Sequence, residues 1–191
     1  AYTAKDYEKA LHIYKQLKDK AASMERRQLA KTGMLRSAHM LGNEEEIIFA
    51  ATDLLADTKL APELSNEAHY YRAKAYLDAG KTDGAMEDLK ILAKDTRNVY
   101  GAEAKYKVAQ IYFDGGQTDK AEQEVLNYIE VSTPHTYWLA RSFVLLADVY
   151  MKLGRNLDAK QYLLSLKQNY QADDDIAGMI ESRLEKLKTE N

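Results

Sequence analysis

The fold is decided by the stretch AKAYLDAGKTDGA, residues 73–85, because the same arrangement of small, aromatic and glycine residues returns twice further along the chain. It recurs as AQIYFDGGQTDKA at residues 109–121 and as ADVYMKLGRNLDA at residues 147–159. In each copy the first alanine is followed by tyrosine after three residues, by glycine after four more and by alanine after a further five. Self-similarity at a period of about 20 to 50 residues indicates a stacked repeat architecture.

Weaker copies of the motif precede these three. One is centred on Gly42, with Leu35 and Ala38 before it, and only the second half of a still earlier copy is present. The period is slightly longer than the usual ~34 residues of such helical repeats, so we expect the extra residues to lie in turns. Steps of 37, 38, 36 and 38 residues separate the equivalent positions Ala10, Ile47, Ala85, Ala121 and Ala159.

The motif small-x-x-Tyr-x-x-x-Gly, with alanine five residues later, resembles the tetratricopeptide repeat (TPR), and the resemblance covers nearly the whole chain. The early Trp and the late Pro of that repeat are missing, although Pro62 and Pro134 lie in turns between repeats. The resemblance implies an all-α fold, an α-α superhelix (TPR-like solenoid) of antiparallel helix pairs with a C-terminal capping helix.

Residues 1–191 are expected to form a single TPR-like array. Because the chain starts in mid-repeat, at Ala1 and not at methionine, we expect it to be the C-terminal part of a longer protein. The expected segments are a half repeat at 1–20, helix pairs at 25–60, 64–97, 101–132 and 135–170, and a capping helix at 173–189.

Local signals mark where several helices begin and end. Asn43 followed by Glu46 resembles a capping box, and Pro134 fits the first turn of a helix. Glycines such as Gly116 fall where a first helix must end in the left-handed conformation. The small residues of the motif should let the paired helices approach closely. The tyrosines of the motif are interpreted as packing residues between repeats.

Composition argues against several classes of function. The net charge is −3, from 27 basic and 30 acidic residues spread along the chain, so no basic surface for nucleic acid is expected. The chain has no cysteine, which removes disulfides and thiolate chemistry. No stretch approaches the roughly 18 apolar residues of a membrane span, and the longest candidate, 143–149, contains Asp148.

No catalytic, cofactor or metal site is predicted. The four histidines lie in different repeats without partners at metal-ligand spacing, and no phosphate-binding loop or nucleophile motif occurs. The acidic run 173–175 lacks the spaced ligands and the glycine of a calcium loop. We expect a protein that is not an enzyme.

The first helix of each TPR pair lines a concave surface, so the resemblance implies a partner-binding groove there. Its mixed charge does not suit a clamp for acidic peptide tails, and a basic or neutral protein or peptide partner fits better. Tyr70 and Tyr106 hold equivalent positions and could form an apolar strip, or could instead be packing residues. The candidate residues are Arg36, Met40, Glu67, Tyr70, Lys74, Leu77, Glu103, Tyr106, Gln110, Phe113, Arg141, Asp148 and Met151.

Three roles remain open: a scaffold that recruits a protein, a spacer that self-associates through residues 47–49 or the closing helix, and a glycan-binding accessory protein. The long period, the run 68–76 and the truncated start also resemble repeat domains of Gram-negative, Bacteroidetes-like envelope proteins, such as the Tol-Pal accessory protein and the outer-membrane assembly lipoprotein. That resemblance implies a periplasmic or envelope location. The residues themselves leave the compartment and the partner open.

Overall fold

The computed structural model describes residues 4–131 and 133–189, and over these ranges the chain consists of ten α-helices joined by short turns. The predicted all-α, TPR-like architecture of antiparallel helix pairs is confirmed. The helices are α1 (Ala4–Lys20), α2 (Met24–Leu41), α3 (Glu44–Leu55), α4 (Pro62–Asp78), α5 (Thr82–Leu92), α6 (Val99–Asp114), α7 (Thr118–Glu130), α8 (Thr136–Lys152), α9 (Asn156–Asn169) and α10 (Ile176–Thr189).

The chain divides into two compact units, with the division between Leu92 and Ala93. In unit 1, α1 packs on α2, α2 on α3, α3 on α4, and α4 on α5. In unit 2, α6 packs on α7 and α8, while α10 packs on α8 and α9. Each unit has its own apolar core. That residues 1–191 form one array stays a prediction.

Small residues let the helices of each pair approach closely. Ala73, Ala109 and Ala147 on the first helices are almost completely buried. Their partners on the second helices, Ala85 and Ala121 among them, have no exposed surface. A larger side chain at these positions would separate the helices or force neighbours out of their preferred rotamers, at a cost of about 1–3 kcal/mol.

The motif glycines end the first helices as predicted. Gly116 has φ 74°, a conformation that costs a residue with a Cβ atom but not glycine. The chain then turns sharply enough for the Gln117 amide to donate to the Tyr112 carbonyl at 2.8 Å. The same left-handed backbone occurs at the other three motif glycines, Gly42, Gly80 and Gly154.

Two predictions about helix starts need correction. Asn43 does cap α3, because its side chain accepts from the Glu46 amide at 3.1 Å. The capping box is not closed, however: the Glu46 carboxylate bonds Lys15 of α1 at 2.6 Å. Pro134 lies two residues ahead of α8 and not in its first turn, whereas Pro62 is the first residue of α4.

The closing helix α10 covers the apolar side of the last pair. Ile176, Ile180, Leu184 and Leu187 are buried in the core of unit 2. Two of the three aspartates before α10, Asp174 and Asp175, accept hydrogen bonds from protein donors. Asp174 accepts from the Ile176 amide at 3.0 Å and from the Tyr170 hydroxyl at 2.7 Å. In residues 4–131 and 133–189, no cluster of three or more His, Asp or Glu side chains could hold a metal ion.

Candidate functional site

The predicted groove residues all lie on first helices, and because they fall in both units we describe them as two surfaces, one for each unit. We call them the unit 1 face, on α2 and α4, and the unit 2 face, on α6 and α8. The unit 1 face contains Arg36, Met40, Glu67, Tyr70, Lys74 and Leu77, and the unit 2 face contains Glu103, Tyr106, Gln110, Phe113, Arg141, Asp148 and Met151.

A bidentate ion pair joins the two helices of the unit 1 face. Nε of Arg36 donates to Oε1 of Glu67 at 2.8 Å, and a terminal guanidinium nitrogen donates to Oε2 at 2.8 Å. Arg36 is mostly exposed, while Glu67 is largely covered. Two parallel hydrogen bonds fix the geometry more strictly than one. The pair therefore links α2 to α4 and neutralises both charges.

Aromatic stacking defines the floor of the unit 1 face. The His39 ring lies on the Tyr71 ring with centroids 4.0 Å apart, and Tyr71 packs against the core of unit 1. Tyr70 points differently: its ring lies 5.8 Å from Tyr71, and the Lys74 ammonium is 5.9 Å from its centroid. Burial, together with the nearby Lys74 charge, lowers the pKa of His39 below its ordinary value. The stacked imidazole is thus favoured in its neutral form.

The accessible part of the unit 1 face combines a cation with apolar groups. Lys74 and Met40 are exposed, and Leu77 is partly exposed. Asp78, one residue beyond Leu77, is also exposed. The accessible surface therefore has an apolar side chain beside charges of both signs.

The sequence analysis places Tyr106 among the groove residues, but in the structure Tyr106 is only 7% exposed. The Arg141 guanidinium lies 5.0 Å from its ring centroid, and the Trp138 ring is 5.7 Å away. Both residues belong to α8, which packs directly on α6. Tyr106 therefore belongs to the α6–α8 contact and to the core of unit 2.

Hydrogen bonds extend from Tyr106 along the unit 2 face. Its hydroxyl donates to Gln110 at 2.9 Å, and Gln110 donates to Asp114 at 2.8 Å. Arg141 donates to the Tyr106 hydroxyl at 3.2 Å and to the Tyr137 hydroxyl at 3.0 Å. Although burial opposes its charge, these hydrogen bonds raise the pKa of Arg141 above its usual value. The network holds a permanent cation over the ring.

The remaining residues of the unit 2 face are also engaged within the unit. Asp148 accepts two hydrogen bonds from Arg183 of α10, at 2.8 and 2.7 Å. Phe113 and Met151 pack against the unit 2 core, and Lys152 lies 5.1 Å from the Phe113 ring centroid. Glu103 is half-buried. The closing helix and α8 thus cover much of what the repeat pattern alone places in a groove.

A set of buried polar contacts inside the helix pairs was missed by the sequence analysis. His69 and Arg72 both bond the buried Asp88, His69 at 2.7 Å. Burial opposes the charge of Asp88, but the hydrogen bonds from Arg72 and His69 lower its pKa below the ordinary value. Similar polar contacts occur in the neighbouring helix pairs: Lys31 bonds Asp53 and Asp57, and Lys105 bonds Glu124 and Asn127. The sequence signal for these contacts is therefore the return of basic and acidic or amide side chains at equivalent repeat positions.

The first candidate for self-association, residues 47–49, is mostly unavailable. Ile47 is buried and Ile48 packs against the core of unit 1, so only Phe49 is exposed, with Lys18 over its ring. Within the described ranges, no helix has the length and apolarity to cross a bilayer.

Comparison with known proteins supports the repeat assignment. Two segments match tetratricopeptide repeat models, residues 67–95 and residues 140–168. No curated protein sequence matches the chain significantly. The chain thus contains TPR repeats in both units.

Solved structures with the same fold are distant in sequence. A crystal structure of MamA is 19% identical, with a TM-score of 0.64 over 98% of this chain and 93% of that chain. A crystal structure of the nearly identical TPR-like repeats of a candidate kinesin light chain from Podospora anserina also matches. It is 19% identical in sequence to this chain, with a TM-score of 0.59 over 86% of each chain. At this identity the similarity concerns the fold alone.

Proposed function

We propose that this protein is a non-catalytic scaffold that binds a protein or peptide partner through the unit 1 face. The TPR repeats support a role in protein–protein interaction in general. The particular face is inferred from the side chains that remain accessible on each unit. Partner identity and cellular compartment, including the envelope location that the sequence resemblance implies, stay open predictions.

The observation that carries the proposal is the difference between the two faces. On the unit 1 face, the exposed Lys74 lies one helical turn from Leu77, which is partly exposed. On the unit 2 face, Tyr106 is buried under Arg141 and Asp148 is bonded to α10. A partner that reached Tyr106 or Asp148 would have to break contacts within unit 2, but it could bury Leu77 without breaking any ion pair.

The chemistry of the unit 1 face favours a partner without a strong net charge. Arg36 and Glu67 neutralise each other, and Lys74 and Asp78 carry opposite charges one helical turn apart. A neutral peptide could place an apolar side chain against Leu77 and a carbonyl group on Lys74. Electrostatic steering would add little to its association rate.

The rings on the unit 1 face support a peptide partner better than a glycan. A sugar-binding platform presents an open aromatic face, whereas His39 and Tyr71 are stacked on each other at 4.0 Å. The cation of Lys74 lies over Tyr70. These rings contribute to packing and leave Met40 and Leu77 as accessible apolar contacts.

The perturbed ionisable groups support binding over catalysis. Asp88 is held by Arg72 and His69 inside a helix pair, and Arg141 is held by two tyrosine hydroxyls. Shifted pKa values can mark active sites, but ion pairs that hold helices together shift them as well. Here the partners of both groups are structural.

Site-specific photocrosslinking in extracts of the source cell tests the proposal. A benzoylphenylalanine at Leu77 should give an adduct of discrete mass with another protein. The same probe at Leu164, an exposed leucine of α9, is the matched control. Lys74→Glu should reduce the Leu77 adduct without changing the helical circular dichroism.

Two outcomes would contradict the proposal. Equal adducts at Leu77 and Leu164 would indicate non-specific contact. An adduct with twice the mass of the chain, as the sole product, would favour the self-associating spacer.

A further inference from the structure

One repeat lacks the tyrosine that the three full copies of the motif share. Tyr76, Tyr112 and Tyr150 stand three residues after the first alanine of each full copy. The equivalent residue in the weaker copy, which ends at Gly42, is Ala38 on α2. A phenol ring is much larger than a methyl group, so this repeat lacks a large packing side chain at that position.

The motif tyrosines lie beside the first turn of the second helix in their own pair. An added Cβ atom at Gly84 would stand 3.1 Å from the Tyr76 ring, and the Lys120 ammonium is 5.5 Å from the Tyr112 centroid. Gly84 and Lys120 each precede the motif alanine of their helix by one residue. The equivalent residue of α3 is Glu46, so the missing ring should leave space beside Glu46.

Two cavities are present at this point, between α1 and α3. One has a volume of about 520 Å³ and reaches Met34, and the other has a volume of about 340 Å³ and reaches Leu41. Met34 and Leu41 lie one turn before and one turn after Ala38 on the same face of α2. An apolar cavity of about 150 Å³ is large enough for benzene. The residues that line both cavities are Lys15, Asn43 and Glu46.

Glu46, which lines both cavities, has an unsatisfied carboxylate oxygen. Its Oε1 accepts from Lys15 at 2.6 Å. Its Oε2 is buried and has no hydrogen-bond partner in the described part of the chain. A buried acceptor without a donor is unfavourable, because it has lost its hydrogen bonds to water. A bound group with a hydroxyl donor would remove that penalty.

Tyr150 of unit 2 shows how an intact repeat uses its phenol. The hydroxyl donates to Glu122 of the preceding second helix, α7. The Arg155 guanidinium lies 4.1 Å from the ring centroid, and the Tyr162 ring is 5.5 Å away. Burial, the nearby Tyr162 and the hydrogen bond with Glu122 raise the pKa of Tyr150 to about 12. The intact repeat thus holds a neutral phenol between a carboxylate and a cation.

The cavities beside Glu46 offer the same kinds of group. Glu46 supplies a carboxylate, and Lys15 and Lys18 of α1 supply cations. The Lys18 ammonium is 5.6 Å from the ring centroid of Phe49, which also lines the larger cavity. Phe49 is 55% exposed, so a second ring can pack on it.

The charges around the larger cavity favour a neutral ligand. Lys15 and Lys18 repel a cationic group, whereas Asp19 and Glu45, which also line this cavity, repel an anionic one. A free phenol is neutral at pH 7, because its pKa is about 10, and its hydroxyl still donates a hydrogen bond. A phenol therefore suits these walls better than an amine or a carboxylic acid.

The space beside α3 is distinct from the side of α1 on which a preceding first helix would pack. Unit 2 supplies the comparison, because α6, α7, α8 and α9 there correspond to such a helix and to α1, α2 and α3. Within the described residues, α6 packs on α7 and α8 but not on α9. A helix placed in the same way before α1 would lie against α1 and α2 and would leave the cavities beside α3 open.

We propose that the space between α1 and α3, which we call the Ala38 site, binds a small aromatic molecule that carries a phenol hydroxyl. The site is lined by Met34, Leu41, Glu46 and Phe49. The hydroxyl donates to Oε2 of Glu46, and the ring takes the place of the missing tyrosine side chain. This site is separate from the unit 1 face and does not depend on the proposed function.

The probe for the test is 4-methylphenol, which is the side chain of tyrosine as a free molecule. It is titrated into the full chain to about 5 mM, because so small a ligand binds weakly. NMR observes the methionine methyl groups. Met34 lines the site and is 1% exposed, whereas Met24 and Met40 are exposed and report non-specific binding. Toluene, which has the same ring and methyl group without the hydroxyl, is the matched control ligand.

The expected result is a saturable shift of the Met34 methyl group with 4-methylphenol and at least tenfold weaker binding of toluene. Ala38→Tyr restores the motif ring, so it should abolish the shift. Glu46→Leu removes the acceptor and should remove the preference for 4-methylphenol over toluene. Glu44→Leu, which changes an exposed neighbour outside the site, should retain it. The methyl spectrum of each variant reports whether it is folded.

Four results would overturn the inference. They are an unchanged Met34 signal at 5 mM 4-methylphenol, shifts confined to Met24 and Met40, equal affinity of the wild type for the two ligands, and binding that persists in folded Ala38→Tyr. If Ala38→Tyr does not fold, the Glu46→Leu variant decides, since a retained preference contradicts the site.

A further variant separates this inference from the proposed function. Leu77→Asp on the unit 1 face should bind 4-methylphenol like the wild type. Failure of the Ala38 site leaves the crosslinking at Leu77 unaffected, so the two proposals can fail independently.

Discussion

At the scale of single residues, Tyr106 shows how packing reassigns a side chain. The repeat register places it on a first helix beside Gln110, where a ligand contact is expected. In the structure its ring is buried under Arg141, and its hydroxyl takes part in a hydrogen-bond network. Its role is therefore to join α6 to α8.

Tyr106→Ala should destabilise unit 2 by about 3 kcal/mol, within the range for removing a buried aromatic side chain. Urea denaturation followed by circular dichroism measures the change. Tyr106→Phe keeps the ring and loses only the hydroxyl, so it should cost about 1 kcal/mol. If the Tyr106→Ala variant were as stable as the wild type, the assignment of Tyr106 to the core of unit 2 would be wrong, and Tyr106 would count as an accessible groove residue.

Asp88 is the most enclosed charge in the described part of unit 1, and it links stability to pH. Its pKa is lowered in the folded state, so folding favours the ionised carboxylate. The stabilisation is fully present above the unfolded pKa, about 4, and is lost as pH falls through the folded value. Asp88→Asn should cost about 3 kcal/mol at pH 7, because Arg72 loses its anion.

The decisive measurement is the pH dependence of the urea midpoint between pH 7 and pH 3. The loss of stability below about pH 4 should be shallower in Asp88→Asn than in the wild type. Asp95→Asn, which removes an exposed carboxylate paired with Arg97, should leave the midpoint unchanged. Parallel curves for wild type and Asp88→Asn would refute the role of Asp88.

At the scale of elements, helix ends and glycines show where local sequence is sufficient. The side-chain cap at Asn43 and the left-handed backbone at Gly116 depend on a few neighbouring residues, and both follow the pattern. The second half of the capping box depends on a distant residue, Lys15, which takes the Glu46 carboxylate. Tertiary contacts thus override local ones where a charged partner is near.

Two glycines inside helices should respond in opposite ways to alanine. Gly178 in α10 has no atom within 4 Å of an added Cβ, so Gly178→Ala should stabilise by about 0.5–1 kcal/mol through helix propensity. Gly33→Ala would bring its Cβ within 2.5 Å of the Tyr14 ring and should destabilise α1 against α2. Thermal denaturation compares them, and equal shifts would contradict the packing of Tyr14.

At the scale of the whole molecule, the division into two compact units is the main organisational feature. Unit 1 has a core that includes Met34, Leu35 and Leu54, and unit 2 has one that includes Leu146 and Leu163. Each set of buried side chains is contiguous within its own unit.

Residues 93–191 should therefore fold when produced alone. We expect a helical circular dichroism spectrum and a cooperative thermal transition, because the unit 2 core lies entirely within this range. Residues 93–170, which lack α10, are the matched comparison. They should melt at a lower temperature, since α8 and α9 would lose their packing against α10 and Asp148 would lose its hydrogen bonds from Arg183. A non-cooperative transition for 93–191 would show that its own core is insufficient.

The sequence by itself determined the all-α class, the repeat register, the left-handed glycines and the close-approach alanines. These follow from residues such as Ala109 and Gly116, whose effects depend on backbone conformation and on a fixed repeat spacing. Only the tertiary structure decided which first-helix side chains stay accessible. Tyr70 and Tyr106 hold equivalent positions, yet the cover of Tyr106 comes from Arg141, 35 residues away. Burial is set by neighbours in space, and one repeat does not specify what the next places against it.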